Sequence, residues 1–200
     1  TITFSQTNTS DSINLPSILK SIKPKDTIKK PIQSPLLLSK KVEKIIIKGN
    51  KNIETSLITS KISISEGVPV SPVLMNRIIS NIRTLGYFSE VSFKLSSSKG
   101  KQNNVLTIFV AENPIVGKIE LEGNTVFKKT VLLNSLKNKE NTVLNINYLR
   151  KDIETIKSFY SDMGFISADI FGISSPQKDG DPLTFIIGEG IIDAIIITGN

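Results

Sequence analysis

The feature that most constrains this chain is a sequence unit that occurs more than once. A run of isoleucines ends at Gly49-Asn50, and similar apolar runs end at Gly123-Asn124 and Gly199-Asn200, 74 and then 76 residues further on. The glycine of Leu85-Gly86-Tyr87-Phe88 has a counterpart 78 residues later in Met163-Gly164-Phe165-Ile166. Several landmarks at one spacing indicate tandem copies of a single folding unit. We therefore expect two complete repeats and a third that has only begun.

The length and composition of the chain fit this division. Two hundred residues, 38% of them hydrophobic, provide for two small cores. We predict a first repeat over residues 42–113, a second over 114–190, and the first strand of a truncated third repeat over 191–200. Because the chain starts at Thr1 and not at methionine, we expect it to be a fragment or a processed product.

Residues 1–41 have the composition of a flexible leader rich in proline, lysine and serine. Four prolines interrupt any helix, and such a segment buries too little apolar surface to offset the entropy lost on ordering. The leader carries a net charge of about +5, the first repeat about +4 and the second about −1. The apolar residues at 18–19 and 36–38 leave two interpretations open, docking on the first repeat or binding a partner.

The first repeat is predicted to have the element order β-α-α-β-β. An isoleucine-rich strand over 42–48 precedes a short helix within 53–62 and a turn at 65–67. The inward residues of this helix are expected to be Ile53 and Leu57, joined by Ile58 or Ile62.

A longer helix begins with Ser71 as N-cap and Pro72 at the first helical position. Gly86 suits the left-handed conformation that ends a helix. After a half-buried strand, a polar loop over 96–104 leads to a closing strand over 105–111. Steps of three, four and three residues define the inward face of the helix, which consists of Met75, Ile78, Ile82 and Leu85. Alternation of apolar and polar residues defines the inward face of the strand, which consists of Val91, Phe93 and Leu95.

The second repeat is predicted to follow the same order. A strand over 116–122 precedes a short helix over 130–137, and Asn147 caps a longer helix over 148–163 that Gly164 ends. The inward residues of the first strand are Ile119 and Leu121, and those of the long helix, again at steps of three, four and three, are Ile153, Ile156, Tyr160 and Met163.

The strand over 166–173 has an ambiguous pattern. Either Ala168 and Ile170 or Phe171 and Ile173 can form its inward face, and the sequence leaves both registers open. A loop over 177–182 and a last strand over 183–187 complete the repeat.

At this level of detail the pattern resembles the polypeptide-transport-associated (POTRA) domain. In the first copy the resemblance rests on the Gly-Asn strand end, the helix ending in Leu-Gly-Tyr-Phe, and the following residues 90–93 and 110–114. The second copy matches less closely, with Phe165-Ile166 and Gly188-Glu189-Gly190 at the corresponding places. The residues expected at structural turns, from the strand and helix ends of both copies, are Gly49, Asn50, Gly86, Gly123, Asn124 and Gly164.

The resemblance implies an α+β fold in which each repeat is a three-stranded mixed sheet covered by two helices. Tandem copies are similar to the arm of the BamA-like superfamily of outer-membrane β-barrel assembly and translocation proteins, and the basic leader is similar to cyanobacterial or plastid members. This implies a position in the periplasm, or its plastid-envelope equivalent, with a membrane barrel further along the parent chain. The implied partners are unfolded outer-membrane or translocating polypeptides and accessory assembly subunits.

In the resembled fold, the strand after the long helix lies at a sheet edge. An unpaired edge exposes main-chain N–H and C=O groups that can accept another strand. The alternative is an edge that stays in water or packs on the neighbouring repeat. The candidate peptide-binding residues are Val91, Ser92, Phe93, Lys94 and Leu95 in the first repeat and Ala168, Asp169, Ile170 and Phe171 in the second.

The residue types present argue against an enzyme. Without histidine or cysteine, the chain cannot build a Ser-His or Cys-His nucleophile or a zinc site that depends on these ligands. Asp179-Gly180-Asp181 suits a hairpin turn better than a calcium loop, because no bidentate glutamate follows at the required place. Glu112 and Glu189 end equivalent strands, and we interpret both as structural. We predict no metal site and no cofactor.

A basic nucleic-acid-binding protein with two small α+β domains is the alternative interpretation. The net charge of +7 would favour contact with phosphate. However, the aromatic residues are few and are not interleaved with the lysines, and no Gly-x-x-Gly clamp is present. We therefore expect no nucleic-acid partner.

Overall fold

The computed structural model of the protein describes residues 42–64, 69–97 and 104–190. The predicted leader over 1–41, the turn at 65–67, the centre of the loop over 96–104 and the third-repeat strand over 191–200 lie outside these residues. Within the described part, no helix is both long enough and apolar enough to cross a membrane.

The first repeat has the predicted order β-α-α-β-β. The strand β3 is central in the sheet, parallel to β1 on one side and antiparallel to β2 on the other. The elements are β1 (Val42–Lys48), α1 (Thr55–Thr59), α2 (Pro72–Arg83), β2 (Phe88–Ser97) and β3 (Asn104–Glu112).

The second repeat has the same order and the same sheet topology. Its central strand β6 is parallel to β4 and antiparallel to β5. The elements are β4 (Ile119–Glu122), α3 (Lys129–Ser135), α4 (Ile146–Asp162), β5 (Asp169–Ser174) and β6 (Leu183–Gly188). The prediction of an α+β fold with two three-stranded mixed sheets and two helices per repeat is thus confirmed.

Each repeat has a hydrophobic core of its own, in which the long helix packs against the inner face of the sheet. In the first core, Met75, Ile78 and Ile82 of α2 are buried as predicted, and Leu85 packs at the margin. Ser71 caps this helix by accepting a hydrogen bond from the Leu74 N–H at 3.1 Å, with Pro72 at the first position. Burial of this face stabilises the helix more than its intrinsic propensity does.

The short helix of the first repeat differs from the prediction. It spans only five residues from Thr55, and its single buried residue is Ile58. Leu57 is 39% exposed and therefore does not face the core, whereas Ile53 lies before the helix and packs at the core margin. The prediction of Leu57 as inward was wrong because the helix starts two residues later than the pattern indicated.

The long helix of the second repeat begins and ends earlier than predicted. Its N-cap is Asn145, whose side chain accepts hydrogen bonds from the N–H groups of Asn147 and Tyr148, so Asn147 is not the cap. Leu149, Ile153, Ile156 and Tyr160 form the buried face. Met163 is 64% exposed because it follows the last helical residue and has left the helical face.

The first strand of the second repeat is shorter than the predicted 116–122. Residues before Ile119 bond elsewhere: the Val116 N–H donates to the Thr142 carbonyl, and the Gly117 N–H donates to the Asp181 carbonyl, both at 2.9 Å. These contacts draw the segment away from the sheet, so that only residues 119–122 pair with β6.

A β-bulge at Phe171 explains the ambiguous register of β5. Ile170 pairs with Ile187, but Gly172 pairs with Ile186, so Phe171 is an extra residue in the strand. Before the bulge Ala168 and Ile170 face the core, and after it Ile173 does. One extra residue reverses the alternation, which is why both registers fitted the sequence and each was half right.

The hairpin strands of the first repeat extend further than predicted. The loop was expected to begin at Ser96 and to end at Asn104, but β2 continues to Ser97 and β3 starts at Asn104. Ser96 pairs with Val105, and Ser97 pairs with Asn104. Main-chain pairing thus continues for two residues beyond Leu95, the last apolar residue of the alternating pattern.

Candidate functional site

The candidate peptide-binding residues of the first repeat lie on an edge strand. Among the described residues, β2 pairs only with β3. From Glu90 to Ser97 this pairing runs in one unbroken register, and a shift occurs only between Phe88 and Glu90. Val91, Phe93 and Leu95 face the core side, whereas Ser92 and Lys94 are exposed. The opposite edge of β2 therefore offers eight consecutive residues of main chain.

The corresponding edge in the second repeat is shorter and less regular. Ala168 lies before β5, and Asp169 and Ile170 form its first two positions. The bulge at Phe171 interrupts the ladder after these two residues. Lys157 of α4 forms an ion pair with Asp169 at 3.0 Å. A bulge bends and twists an edge, so β5 is the poorer template for an added strand.

A glutamate at the end of the last strand of each repeat binds the turn that follows the first strand. In the first repeat, the Glu112 carboxylate accepts hydrogen bonds from the N–H groups of Lys51, Asn52 and Ile53 at 2.7, 2.9 and 2.8 Å. The Asn52 side-chain amide adds another at 2.9 Å. Three successive main-chain N–H groups thus converge on one carboxylate.

Glu189 repeats this arrangement in the second repeat. It accepts hydrogen bonds from the N–H groups of Thr125 and Val126 at 2.6 and 2.9 Å, from the Thr125 hydroxyl, and from the Tyr160 hydroxyl at 2.9 Å. The residue is only 5% exposed. Both glutamates therefore have a structural role, and we call Glu112 and Glu189 the closing glutamates.

The glycines of the two Gly-Asn pairs are required by the same closures. Gly49 and Gly123 have φ angles of +100° and +80°. A Cβ atom at these positions would lie 2.0 Å from the Val110 carbonyl oxygen and 2.1 Å from that of Ile187. Only glycine allows the first and last strands to approach this closely.

The asparagines of the Gly-Asn pairs stabilise the turn that follows. The Asn50 side-chain amide donates to the Ile53 carbonyl at 2.9 Å and to the Thr55 hydroxyl at 3.0 Å. The Asn124 amide donates to the Phe127 carbonyl at 3.0 Å. The Gly-Asn pair and the closing glutamate thus stabilise the same turn. Both recur at nearly the same spacing in the sequence, and this spacing was the signal that connects them.

Hydrogen bonding overcomes burial in setting the pKa values of the closing glutamates. Burial by itself raises the pKa of Glu112, but hydrogen bonds from Ile53, Asn52 and Lys51 lower it below the usual value. Burial likewise raises the pKa of Glu189, and bonds from Thr125, Val126 and Tyr160 lower it overall. The pKa of Tyr160 is raised, chiefly by burial and then by its bond to Glu189. These shifts mean that both carboxylates bind the turns in their charged form.

We expect Glu189→Gln to cost about 1–3 kcal/mol of unfolding free energy at neutral pH, because buried donors lose a charged acceptor. A carboxylate with a lowered folded-state pKa contributes stability above its unfolded pKa, about 4.3, and loses that contribution as the pH falls through the folded value. Urea titrations at pH 7, 5, 4 and 3 should therefore give a flatter acid limb for the variant than for the wild type. A cost that stays the same at pH 7 and pH 3 would contradict this role. Glu154→Gln, on the exposed side of α4, is the control.

The two repeats meet where the end of α2 contacts the start of α4. The side-chain amides of Asn145 and Asn147 donate to the carbonyls of Leu85 and Thr84 at 2.9 and 2.8 Å. The Ile146 N–H donates to the Gly86 carbonyl at 3.0 Å. The carbonyls of the three residues that follow α2 thus accept hydrogen bonds from the residues that start α4. We call this contact the junction.

Asn113, in the connection between the repeats, completes the junction. Its buried side-chain amide donates to the carbonyls of Gly86 and Leu144 at 3.0 and 2.8 Å. The rings of Tyr87 and Tyr148 pack edge to face, with centroids 6.3 Å apart. The side-chain amide of Asn113 therefore bonds directly to one residue of each repeat, Gly86 in the first and Leu144 in the second.

Gly86 has a second role at the junction besides ending the helix region at φ +81°. A Cβ atom there would lie 2.5 Å from Asn145 Oδ1 and 2.7 Å from Asn147 Nδ2. Gly164, the equivalent residue in the second repeat, has a φ of +87° and no described atom within 4 Å of such a Cβ. The two glycines share a conformation, and within residues 42–64, 69–97 and 104–190 only Gly86 of the two lies against another repeat.

A buried polar network supports the junction from the second repeat. The Asn145 N–H donates to Asn138 Oδ1 at 2.9 Å, and the Asn138 side-chain amide donates to the Asp152 carboxylate at 2.8 Å. Asp152 is fully buried, and it also accepts a hydrogen bond from the Lys137 N–H. Sequence reasoning missed Asn113, Asn138, Asn145 and Asp152. The only available signal was a set of polar residues flanking apolar ones.

The acidic turn predicted at 179–181 is a loop whose carboxylates are occupied by main-chain donors. Asp179 accepts a hydrogen bond from the Ile115 N–H at 2.9 Å, and Asp181 accepts from Gln177 and Lys178 at 3.2 and 3.1 Å. Gly180 has a φ of +89°. Across the described residues, no group of three or more acidic side chains is placed to hold a metal ion.

The geometry defines a tandem α+β scaffold whose carboxylates bind its own main chain. The POTRA family model, described as surface antigen variable number repeat, matches residues 40–113 and again residues 114–190, and the chain therefore belongs to this family. The resemblance stated from the sequence is confirmed.

Several proteins similar to this chain are outer-membrane assembly factors. The outer membrane protein assembly factor BamA of Nitratidesulfovibrio vulgaris is 29% identical over 124 residues, which are 62% of this chain and 15% of that protein. The putative outer membrane protein assembly factor of Treponema pallidum is 28% identical over 127 residues, with the same two shares of 62% and 15%. The chain thus spans about 15% of the length of these curated relatives.

Two solved structures share the fold. The N-terminal domain of Omp85 from Thermosynechococcus elongatus superposes with a TM-score of 0.66 at 21% identity, over 76% of this chain and 63% of that one. POTRA1–3 of the periplasmic domain of Omp85 from Anabaena gives a TM-score of 0.59 at 18% identity, over 75% and 61%. At these identities the likeness supports the fold alone.

Proposed function

We propose that the two repeats form the periplasmic-side arm of an outer-membrane β-barrel assembly or protein-translocation protein. Tandem family membership and the assembly-factor relatives support this role. In this proposal a membrane barrel follows in the parent chain, accessory assembly subunits bind the arm, and the arm lies in the periplasm or its plastid-envelope equivalent. The arm binds and positions polypeptide and catalyses no reaction. In keeping with this, the carboxylates of Glu112, Glu189, Asp179 and Asp181 are engaged by main-chain groups.

The observation that carries the binding mechanism is the edge of β2. An unfolded polypeptide in extended conformation adds to this edge as a fourth strand, with main-chain hydrogen bonds as the common attraction. Its inward side chains cover Phe93 and Leu95, which are only partly buried in the free protein. The alternative edge β1 offers just five residues in continuous register, from Lys44 to Lys48, and β5 carries a bulge.

The expected affinity is low, because main-chain hydrogen bonds contribute little net free energy in water. Five such bonds at roughly 0.5–1.5 kcal/mol each give about 2.5–7.5 kcal/mol. Association costs at least about 4 kcal/mol in lost freedom of motion. The balance is at most about 3.5 kcal/mol, which corresponds to dissociation constants of roughly 3 mM or weaker. Weak binding that depends little on sequence suits a surface that passes many different polypeptides onward.

We expect extended amphipathic peptides, copied from the strands of membrane barrels, to perturb the backbone amides of residues 90–97 in NMR titrations. Two peptides of the same sequence provide the control, one N-methylated at its odd-numbered residues and the other at its even-numbered residues. Only one of these patterns removes the donors that face β2, so only that peptide should lose binding. Equal loss with both peptides, or perturbation confined to residues outside 90–97, would contradict strand addition.

Charge dependence separates this mechanism from the nucleic-acid alternative. Peptide affinity should change by less than about twofold between 50 and 200 mM salt, because main-chain contacts are screened little. Lys94→Gln should leave peptide binding unchanged, since Lys94 faces outward from the sheet. A single-stranded oligonucleotide that binds more tightly than the peptides, with steep salt dependence, would favour the alternative.

A further inference from the structure

The helices cover one face of each sheet, and among the described residues no helix or strand covers the other face. In the first sheet, Leu106 and Ile108 of the central strand point into the core. Side chains alternate along a strand, so the residues on either side of them, and the residues paired with those, point to the outer face. Phe109 on this outer face is 39% exposed. The outward residues form three rows across the strands: Lys48, Phe109 and Ser92; Ile46, Thr107 and Lys94; Lys44, Val105 and Ser96.

The outer face of the second sheet is built in the same way. Phe171, at the bulge, is 53% exposed, and its ring lies over Gly188, where a Cβ atom would meet it at 2.1 Å. Ile186 is 41% exposed and lies against Gly172. The two glycines let these apolar side chains lie flat on the sheet. The remaining outward positions of the paired rows are Glu120, Glu122 and Ser174, together with Thr184, whose side chain is buried between its neighbours at 7% exposure.

The two outer faces carry opposite charge around their apolar centres. Lys44, Lys48 and Lys94 surround the apolar residues of the first face, and Glu90 lies one row beyond them. The second face carries Glu120 and Glu122, and Lys118 pairs with Glu120 at 3.1 Å. This division follows the net charge of about +4 in the first repeat and about −1 in the second.

We propose that the first outer face of one chain packs on the second outer face of another copy of the chain. The lysines of one face then lie opposite the glutamates of the other, and Phe109 lies against the apolar surface of Phe171 and Ile186. Charge complementarity favours a second copy, because each face of one chain then meets the opposite charge, whereas an anionic lipid surface would engage only the first face. This inference goes beyond the proposed function and does not depend on it.

The contact is small, so the association is weak and depends on concentration. Strands about 4.8 Å apart with a rise of about 3.3 Å per residue give a patch roughly 10 Å by 15 Å. That is well below the area of a stable interface. Two chains that engage both of their faces would double the contact, and we expect a dissociation constant of roughly 100–1,000 μM in low salt.

Sedimentation equilibrium on the full chain tests the proposal at 20 and at 500 mM salt. We expect a rise in mass with concentration at 20 mM salt, and monomer at 500 mM salt. Two charge-reversal variants, K44E/K48E on the first face and E120K/E122K on the second, should each weaken association at least tenfold. Because these positions point away from the core, circular dichroism should match the wild type. Urea unfolding should stay within about 1 kcal/mol of it, since E120K removes only the exposed ion pair with Lys118.

Mixing the two variants is the decisive arm of the experiment. Each reversed face then meets a face of opposite charge on the other variant, so the equimolar mixture should regain association within about threefold of the wild type. A wild-type chain that stays monomeric up to 1 mM, variants that associate like the wild type, or a mixture that stays monomeric would overturn the proposal. So would binding to vesicles of 30% anionic lipid that only K44E/K48E abolishes, if the free chain shows no self-association.

Discussion

Gly123→Ala is expected to destabilise the second repeat by roughly 2–5 kcal/mol. An alanine at a φ of +80° costs about 1–2 kcal/mol in backbone strain. Its Cβ would also lie 2.1 Å from the Ile187 carbonyl oxygen, and the strands must separate to relieve this overlap at a further cost of about 1–3 kcal/mol. Urea unfolding followed by circular dichroism measures the change. Gly49→Ala should have a similar effect on the first repeat, where the Val110 carbonyl is 2.0 Å away.

Gly164→Ala is the matched control for this prediction. Gly164 has nearly the same φ, +87°, but no described atom lies within 4 Å of a Cβ placed there. The control variant therefore has the backbone strain without the overlap, and it should lose only about 1–2 kcal/mol. If Gly123→Ala cost no more than Gly164→Ala, the close approach of the first and last strands would have no energetic weight.

The second large effect is expected from Ile78→Ala and Ile156→Ala, which should each cost about 2–5 kcal/mol. Both side chains are buried at the middle of the long helix of their repeat, with 2% and 0% exposure. Truncation removes apolar burial and leaves a cavity. Since the two residues belong to separate cores, the effects should add in the double variant. Unfolding in urea gives both quantities.

Val73→Ala provides the control on the same helix as Ile78. Its side chain is 71% exposed, so its truncation should change the free energy of unfolding by less than about 0.5 kcal/mol. A loss below about 1 kcal/mol for Ile78→Ala or Ile156→Ala would be incompatible with the packing described. A double variant that loses much less than the sum would show that the two cores are energetically coupled.

The elements and their order could be predicted because each leaves a local signal. The steps of Met75, Ile78 and Ile82 define a helical face without any tertiary information, and they proved to be buried. The ends of the helices and strands were harder to predict, because hydrogen bonds to the main chain determine where an element stops. Asn145 and Asn147 have the same chemistry two residues apart, and only the structure shows that the first caps α4 while the second bonds to another repeat.

Contacts between distant segments left the weakest trace in the sequence. The register of β5 was unpredictable because a bulge at Phe171 combines both alternatives in one strand. The junction was missed because Asn113 and Asn145 act through main-chain carbonyls that look alike at every position. By contrast, the open edge of β2 could be anticipated from the fold that the sequence resembles, although its unbroken length could not.

The junction makes the two repeats turn together. The carbonyls of Thr84, Leu85 and Gly86, directly after α2, accept hydrogen bonds from the three residues that start α4, Asn147, Asn145 and Ile146. We therefore expect these bonds to limit rotation of the second repeat relative to the first. Whatever fixes the second repeat in space also sets the direction in which the open β2 edge points.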